Sequence, residues 1–143
     1  MSSGQELQIN YNFRCDFELI GLVSVAREYK LAWHLNRHLD LNLAKTEDLV
    51  IKFVSEQDIL VSNFVCSISH CSFQLLKNRS TDQESGPYLL PELKNMDYFL
   101  IIKNESDTFD SSKCIQKLSD ISVITSYQRI DVDKLTNKEN LLF

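Results

Sequence analysis

The stretch Tyr88-Leu-Leu-Pro91-Glu92-Leu-Lys-Asn-Met96-Asp97-Tyr98-Phe-Leu-Ile-Ile-Lys103 decides the fold. Its second half sets Phe99, Leu100, Ile101 and Ile102 in unbroken succession between Asp97 and Lys103. An apolar run of that length, rich in β-formers, suits a strand covered on both faces and therefore central to a sheet. Pro91 has no N–H and disfavours helix at Leu90, so the chain arrives extended, and residues 92–96 then make one helical turn. That turn delivers Glu92, Asp97 and Tyr98 to the entrance of the central strand.

Working outward toward the N-terminus, residues 78–87 are polar and breaker-rich and predict a mobile surface loop. Residues 49–78 read as an antiparallel meander, with strands over 49–54, 59–66 and 71–77 and turns at 55–58 and near Ser69. Ser24 is a plausible N-cap for a helix over 24–39. A 100° wheel puts Val25, Tyr29, Ala32 and Leu39 on its apolar face, with Trp33 and Leu35 on the shoulders and Arg27, Lys30, His34 and Arg37 opposite. Asn36 falls within about 20° of the centre of that face, where an amide must find partners or cost stability. Residues 17–23 predict a strand, with a helical continuation into the next segment as the alternative. Leu7, Ile9, Tyr11 and Phe13 alternate with polar residues as extended chain does, and 1–6 reads as a frayed end.

Toward the C-terminus, residues 105–110 form a turn, 111–121 a helix capped by Asp110 or Ser111, and 123–130 a strand. With the central strand they make a βαβ unit, right-handed if its two strands are parallel. Residues 131–143 are charged until Leu141-Leu142-Phe143, an apolar end that docks on its own domain or on a partner. The expected fold is a single α+β domain over 1–143, a largely antiparallel sheet of five or six strands carrying two main helices.

Composition narrows the function classes. A chain of 143 residues, 43% hydrophobic and 24% charged, fits one domain with a real core. Its net charge of −5 works against non-specific binding to nucleic acid or to an anionic membrane. No apolar run approaches the roughly 20 residues of a membrane-spanning helix, and no signal-peptide pattern opens the sequence, so a cytoplasmic home is expected. Cys15, Cys66, Cys71 and Cys114 are scattered without a CxxC pair and read as free thiols in a reducing compartment.

Residues 90–98 carry one resemblance. Leu90-Pro91-Glu92-x-x-x-Met96-Asp97-Tyr98 resembles the signature of the uncharacterised bacterial IPExxxVDY family, with Leu90 for its Ile and Met96 for its Val. The Pro-Glu and Asp-Tyr pairs match, both departures are apolar for apolar, and the flanking Phe-Leu-Ile-Ile, the earlier Leu-Ile-Gly and the closing Lys-Glu-Asn-Leu are similar to that family's layout. The resemblance implies a bacterial protein of uncharacterised role and brings no catalytic assignment.

No familiar chemical motif is present. His34 and His38 stand at i and i+4, as two metal ligands on one helix do, but Leu35 follows His34, so the HExxH general base is missing and two solvated histidines are expected. Cys66, His70 and Cys71 do not have the spacing of a zinc finger or ribbon, and no cysteine sits in a nucleophile motif. Gly4, Gly21 and Gly86 cannot build a phosphate cradle. No cofactor, metal or catalytic residue is assigned.

The one polar set of interest is Asn36, Glu92, Asp97 and Tyr98. If the first helix covers the central strand, the Asn36 amide can reach the Pro-Glu turn, and the four then form either a polar knot fixing helix, turn and strand, or a ligand site. The expected function is a non-enzymatic module acting through protein contacts as a homodimer or with another protein, without nucleic acid or membrane. The alternative is a small-molecule-binding regulatory domain using those four residues.

Overall fold

The structure, a computed structural model, describes residues 17–52, 58–68, 71–80, 87–104 and 110–141. Among the described residues there are eight strands: β1 (Glu18–Val23), β2 (Ala44–Lys45), β3 (Leu49–Ile51), β4 (Ile59–Val61), β5 (Asn63–Ile68), β6 (Cys71–Lys77), β7 (Tyr98–Asn104) and β8 (Ser126–Ile130). Helix α1 spans Glu28–Leu39 and the short helix α2 spans Ser111–Gln116, continued by a 3-10 turn over Lys117–Asp120. Six strands form one sheet in the order β2-β5-β6-β7-β1-β8, with every adjacent pair antiparallel. The α+β architecture expected from the sequence is the one observed.

β7 is the interior strand its composition implies, flanked by β6 and β1 and buried from Tyr98 to Ile102. Its alternation divides the core in two. Leu100 and Ile102 face the helices, packing with Ile20, Leu22, Phe73 and Leu75 against Leu31, Leu35 and Leu39 of α1 and Ile115 and Leu118. Phe99 and Ile101 face the other way, with Leu19 and Leu76, toward Ile51, Ile59, Leu90, Met96, Val132 and Leu141. Because β7 and β8 are each antiparallel to β1 between them, they run parallel to one another, and α2 makes the crossover. Gly21 lies where a Cβ would meet Met96 Sδ at 2.6 Å and Ile130 Cδ1 at 2.9 Å, so the missing side chain lets the 89–96 segment close onto β1.

Several expectations are corrected. The 49–78 stretch is not one meander: β3 and β4 form a separate two-stranded sheet, and the chain crosses into the main sheet at buried Ser62. Separating the hairpin lets Ile51, Ile59 and Val61 cover the second face of the main sheet. The edge strand β2 was not anticipated. The expected mobile loop is anchored at both ends, where Arg79 and Tyr88 bridge and Asn78 is 1% exposed; residues 81–86 lie outside the described residues, as do 1–16 with their alternating stretch and Cys15, together with His70. In the tail, 3-10 turns over Val132–Lys134 and Lys138–Leu141 dock Val132 and Leu141 on the protein's own core, while 142–143 lie outside the described residues.

The helix boundary also shifts. α1 begins at Glu28 with Arg27 as its N-cap, and Ser24 does not cap it. Ser24 Oγ instead accepts from the Ala26 N–H and donates to the Val123 carbonyl, a local turn that keeps 24–27 out of the helix. The C-terminus closes at Asp40 in the left-handed region (φ 56°), its N–H donating to the Asn36 carbonyl.

Candidate functional site

The four residues singled out from the sequence bond to three different stretches of chain: Asn36 to Leu43, Glu92 to Asn137, and Asp97 and Tyr98 to Ser24 and Ala26. Among the described residues no hydrogen bond joins Asn36 to Glu92, Asp97 or Tyr98. Asn36 lies on the flank of α1 and clamps the chain just beyond it: its Oδ1 accepts from the Leu43 N–H (2.7 Å) and its Nδ2 donates to the Leu43 carbonyl (3.1 Å). That is a backbone-like pairing made by a side chain, and it leads the chain into β2.

Glu92 faces the C-terminal segment. Its carboxylate accepts from the Asn137 N–H at 2.9 Å and from Asn137 Nδ2 at 2.8 Å. Burial by itself raises this carboxyl, but the Asn137 hydrogen bonds, with backbone groups of Glu92 and Thr136, outweigh it and hold the pKa below its ordinary value. Nearby, Asn140 Nδ2 donates to the Leu89 carbonyl at 2.8 Å. The Pro91 turn is therefore a dock for the strap over 132–141.

Asp97 and Tyr98 act together on the approach to α1. Asp97 Oδ2 accepts from the Ser24 N–H at 2.9 Å, and the Tyr98 hydroxyl donates to the Ala26 carbonyl at 2.6 Å. Burial, then the negative charges of Glu28 and Asp97, push the Tyr98 phenol up, so it stays a donor. The Asp97 N–H also bonds the Leu22 carbonyl, tying the turn to the end of β1.

The hub of the motif is a residue that no sequence pattern singles out. Asn78, at the exit of β6, donates through Nδ2 to the Leu93 and Met96 carbonyls and accepts through Oδ1 from the Leu90 N–H, each at 2.9 Å. Its own N–H donates to the Asp97 carbonyl and its carbonyl accepts from the Leu89 N–H. Asn78 thus satisfies the backbone that Pro91 leaves without helical partners. Only its place among loop-like residues was visible in the sequence, and that pointed to mobility.

The pinned approach sets the rotation of α1. Leu31, Ala32, Leu35 and Leu39 face the sheet, about 60° around the wheel from the face expected from periodicity. Three residues expected inside are outside: Val25 is 99% exposed, Tyr29 65% and Trp33 55%. Arg37 stacks over Trp33, its guanidinium 5.4 Å from the ring centre. Arg27, Lys30 and Arg37 are exposed beside them, and Glu28 is drawn toward Lys77 at 3.6 Å.

The other chemical candidates do not assemble into a reactive group: His34 Nδ1 is buried without a hydrogen-bond partner. His38 Nδ1–H donates to the His34 carbonyl (2.9 Å), which spends that nitrogen on the helix. No group of three or more His, Cys, Asp or Glu among the described residues is placed to hold a metal. Cys66, Cys71 and Cys114 are free and buried. Burial pushes the Cys71 and Cys114 thiols up; nearby Cys66 and Glu18 add to the effect at Cys71, and Lys117 only partly opposes it at Cys114. Thiols so raised are poor nucleophiles. A shallow depression of about 170 Å³ opens over β5–β7, lined by Val65, Ser67, Ser72, Gln74, Ile101 and Lys103; none of the four sequence-selected residues lines it.

Among the described residues no helix is long and apolar enough to cross a membrane. Compared with known proteins, the chain matches no family model and no curated protein.

Proposed function

We propose that this chain is a non-enzymatic protein-interaction module whose contact face is the outer side of α1. One observation carries the reading: Tyr29 and Trp33, one turn apart, and Val25 just before the helix stand in solvent on backbone fixed by Asp97 and Tyr98. A helix packed on a sheet needs one apolar face, and α1 has that face in Leu31, Leu35 and Leu39. A second row of large apolar side chains gains nothing in the monomer and gains burial when a partner covers it.

In this reading the residues that resemble the bacterial IPExxxVDY signature are framework. The Pro-Glu pair receives the C-terminal strap, and the Asp-Tyr pair sets the helix. The buried free thiols support a reducing compartment, and with the resemblance they favour a bacterial cytoplasm. Self-association belongs to the same reading and is supported at a different place: β8 is an edge strand, and an antiparallel copy about a two-fold axis would continue the sheet into a homodimer.

Sedimentation across a range of concentrations, run on the wild type and on Tyr29→Ser/Trp33→Ser, tests the proposal together with affinity purification. The expected result is a dimer or a captured partner, with capture lost in the double variant. A strict monomer with no capture that depends on Tyr29 and Trp33 overturns it.

A further inference from the structure

We infer, resting on that reading, that the outer face of α1 receives an acidic amphipathic segment of another protein. The aromatic pair Tyr29 and Trp33 is bordered by exposed Arg27, Lys30 and Arg37, whereas Glu28 is half-buried toward Lys77 and Asp40 stands at the helix's C-terminal end. A chain of net charge −5 thus carries a basic rim around the most exposed aromatic residues among those described. Apolar side chains of an incoming segment can pack on the Tyr29–Trp33 ridge while its carboxylates meet the lysine and the two guanidinium groups, which bind carboxylates in paired hydrogen bonds.

Electrostatics chooses among the possible occupants. A second copy of this face would bring rim against rim, three like charges opposing three. An anionic bilayer or a nucleic acid is an extended polyanion and meets the excess acid of the whole body as well as the rim. A short segment lies within about one Debye length, about 8 Å, of the rim and is largely screened from the rest. The face therefore suits a peptide-sized acidic partner better than any of these.

The test selects binders to the full-length chain from a displayed library of random peptides of about 15 residues, long enough to form a helix on docking. Selected peptides are then titrated while the emission of Trp33, the only tryptophan, is followed. Trp33→Ala, checked for an unchanged melting temperature, serves as the control. Peptides that carry acidic residues around an apolar pair, shift Trp33 emission to the blue and bind Lys30→Glu/Arg37→Glu at least about tenfold more weakly support the inference. Trp33-dependent peptides that are neutral or basic overturn it and leave the interaction-face reading standing. No Trp33-dependent peptide at all also overturns the inference, and the interaction-face reading then stands or falls on the sedimentation and capture described above. A blue shift produced by phosphatidylglycerol vesicles or by an oligothymidylate, but by no peptide, overturns it in favour of a lipid or nucleic-acid surface.

Discussion

The Tyr98 hydroxyl, at the first residue of the central strand, holds the Ala26 carbonyl at 2.6 Å across 72 positions of sequence. With the Asp97–Ser24 bond beside it, this contact keeps 24–27 off the helix and fixes where α1 starts and which way it is turned. Tyr98→Phe removes the donor and leaves a partly buried carbonyl without its partner. The expected loss is about 1 kcal/mol in urea unfolding. A variant as stable as the wild type would show that the contact does not hold the approach.

Asn78→Ala removes three hydrogen bonds, two of them buried, and leaves the Leu90 N–H and the Met96 carbonyl without these partners, while the Leu93 carbonyl keeps its bond from the Met96 N–H. The expected cost is about 2 kcal/mol or more, a large share of a small domain's stability. Asn78→Asp is expected to be worse at neutral pH, because a carboxylate would face two carbonyl oxygens, and to recover in part as the pH falls and that carboxylate gains a proton. Equal melting temperatures for the two variants across pH would contradict this geometry.

Glu92 gives the fold an acid limit. Its folded pKa lies below the ordinary 4.5, so its contribution is fully present above that value and is lost as pH falls through the folded pKa. Glu92→Gln, or Asn137→Ala, should lower the melting temperature at neutral pH and flatten its decline below pH 4.5. Thermal unfolding followed across pH reads the slope directly; parallel curves for wild type and variants would refute the assignment.

The rotation of α1 separates two sets of substitutions. Leu35→Ala, fully buried, should cost about 2–5 kcal/mol. Tyr29→Ser and Trp33→Ser should each cost less than about 1 kcal/mol, since both side chains are more than half exposed. Denaturation midpoints decide between this setting and the one expected from periodicity, in which Tyr29 lies inside.

Asp40 closes α1 in the left-handed region at a position that favours glycine. Asp40→Gly keeps the N–H bond to the Asn36 carbonyl and relieves the conformational cost, so it should stabilise by about 0.5–1 kcal/mol. A lower melting temperature would indicate that the Asp40 side chain contributes something its backbone does not.

The sequence alone determined what depends on local pattern. Phe99 to Ile102 had to be an interior strand, because four consecutive apolar side chains alternate onto both faces of a sheet. The helix and strand that follow and the single α+β domain come from periodicity and breakers in the same way, while the choice of Asp110 over Ser111 as the cap of α2 came from the structure. Asn36 was correctly marked as a polar side chain that needed partners; that the partner is Leu43 was not legible.

Tertiary structure decided what depends on contacts between distant residues. Counting Val25 into the helix set the wheel about 60° from its true phase, because nothing local reveals that Asp97 and Tyr98 hold 24–27 out of the helix. α1 carries two rows of apolar side chains, and periodicity cannot say which one the sheet covers. Asn78 and Asn137 were invisible for the same reason: an asparagine in a loop looks the same whether its amide meets water, three backbone groups or a distant carboxylate.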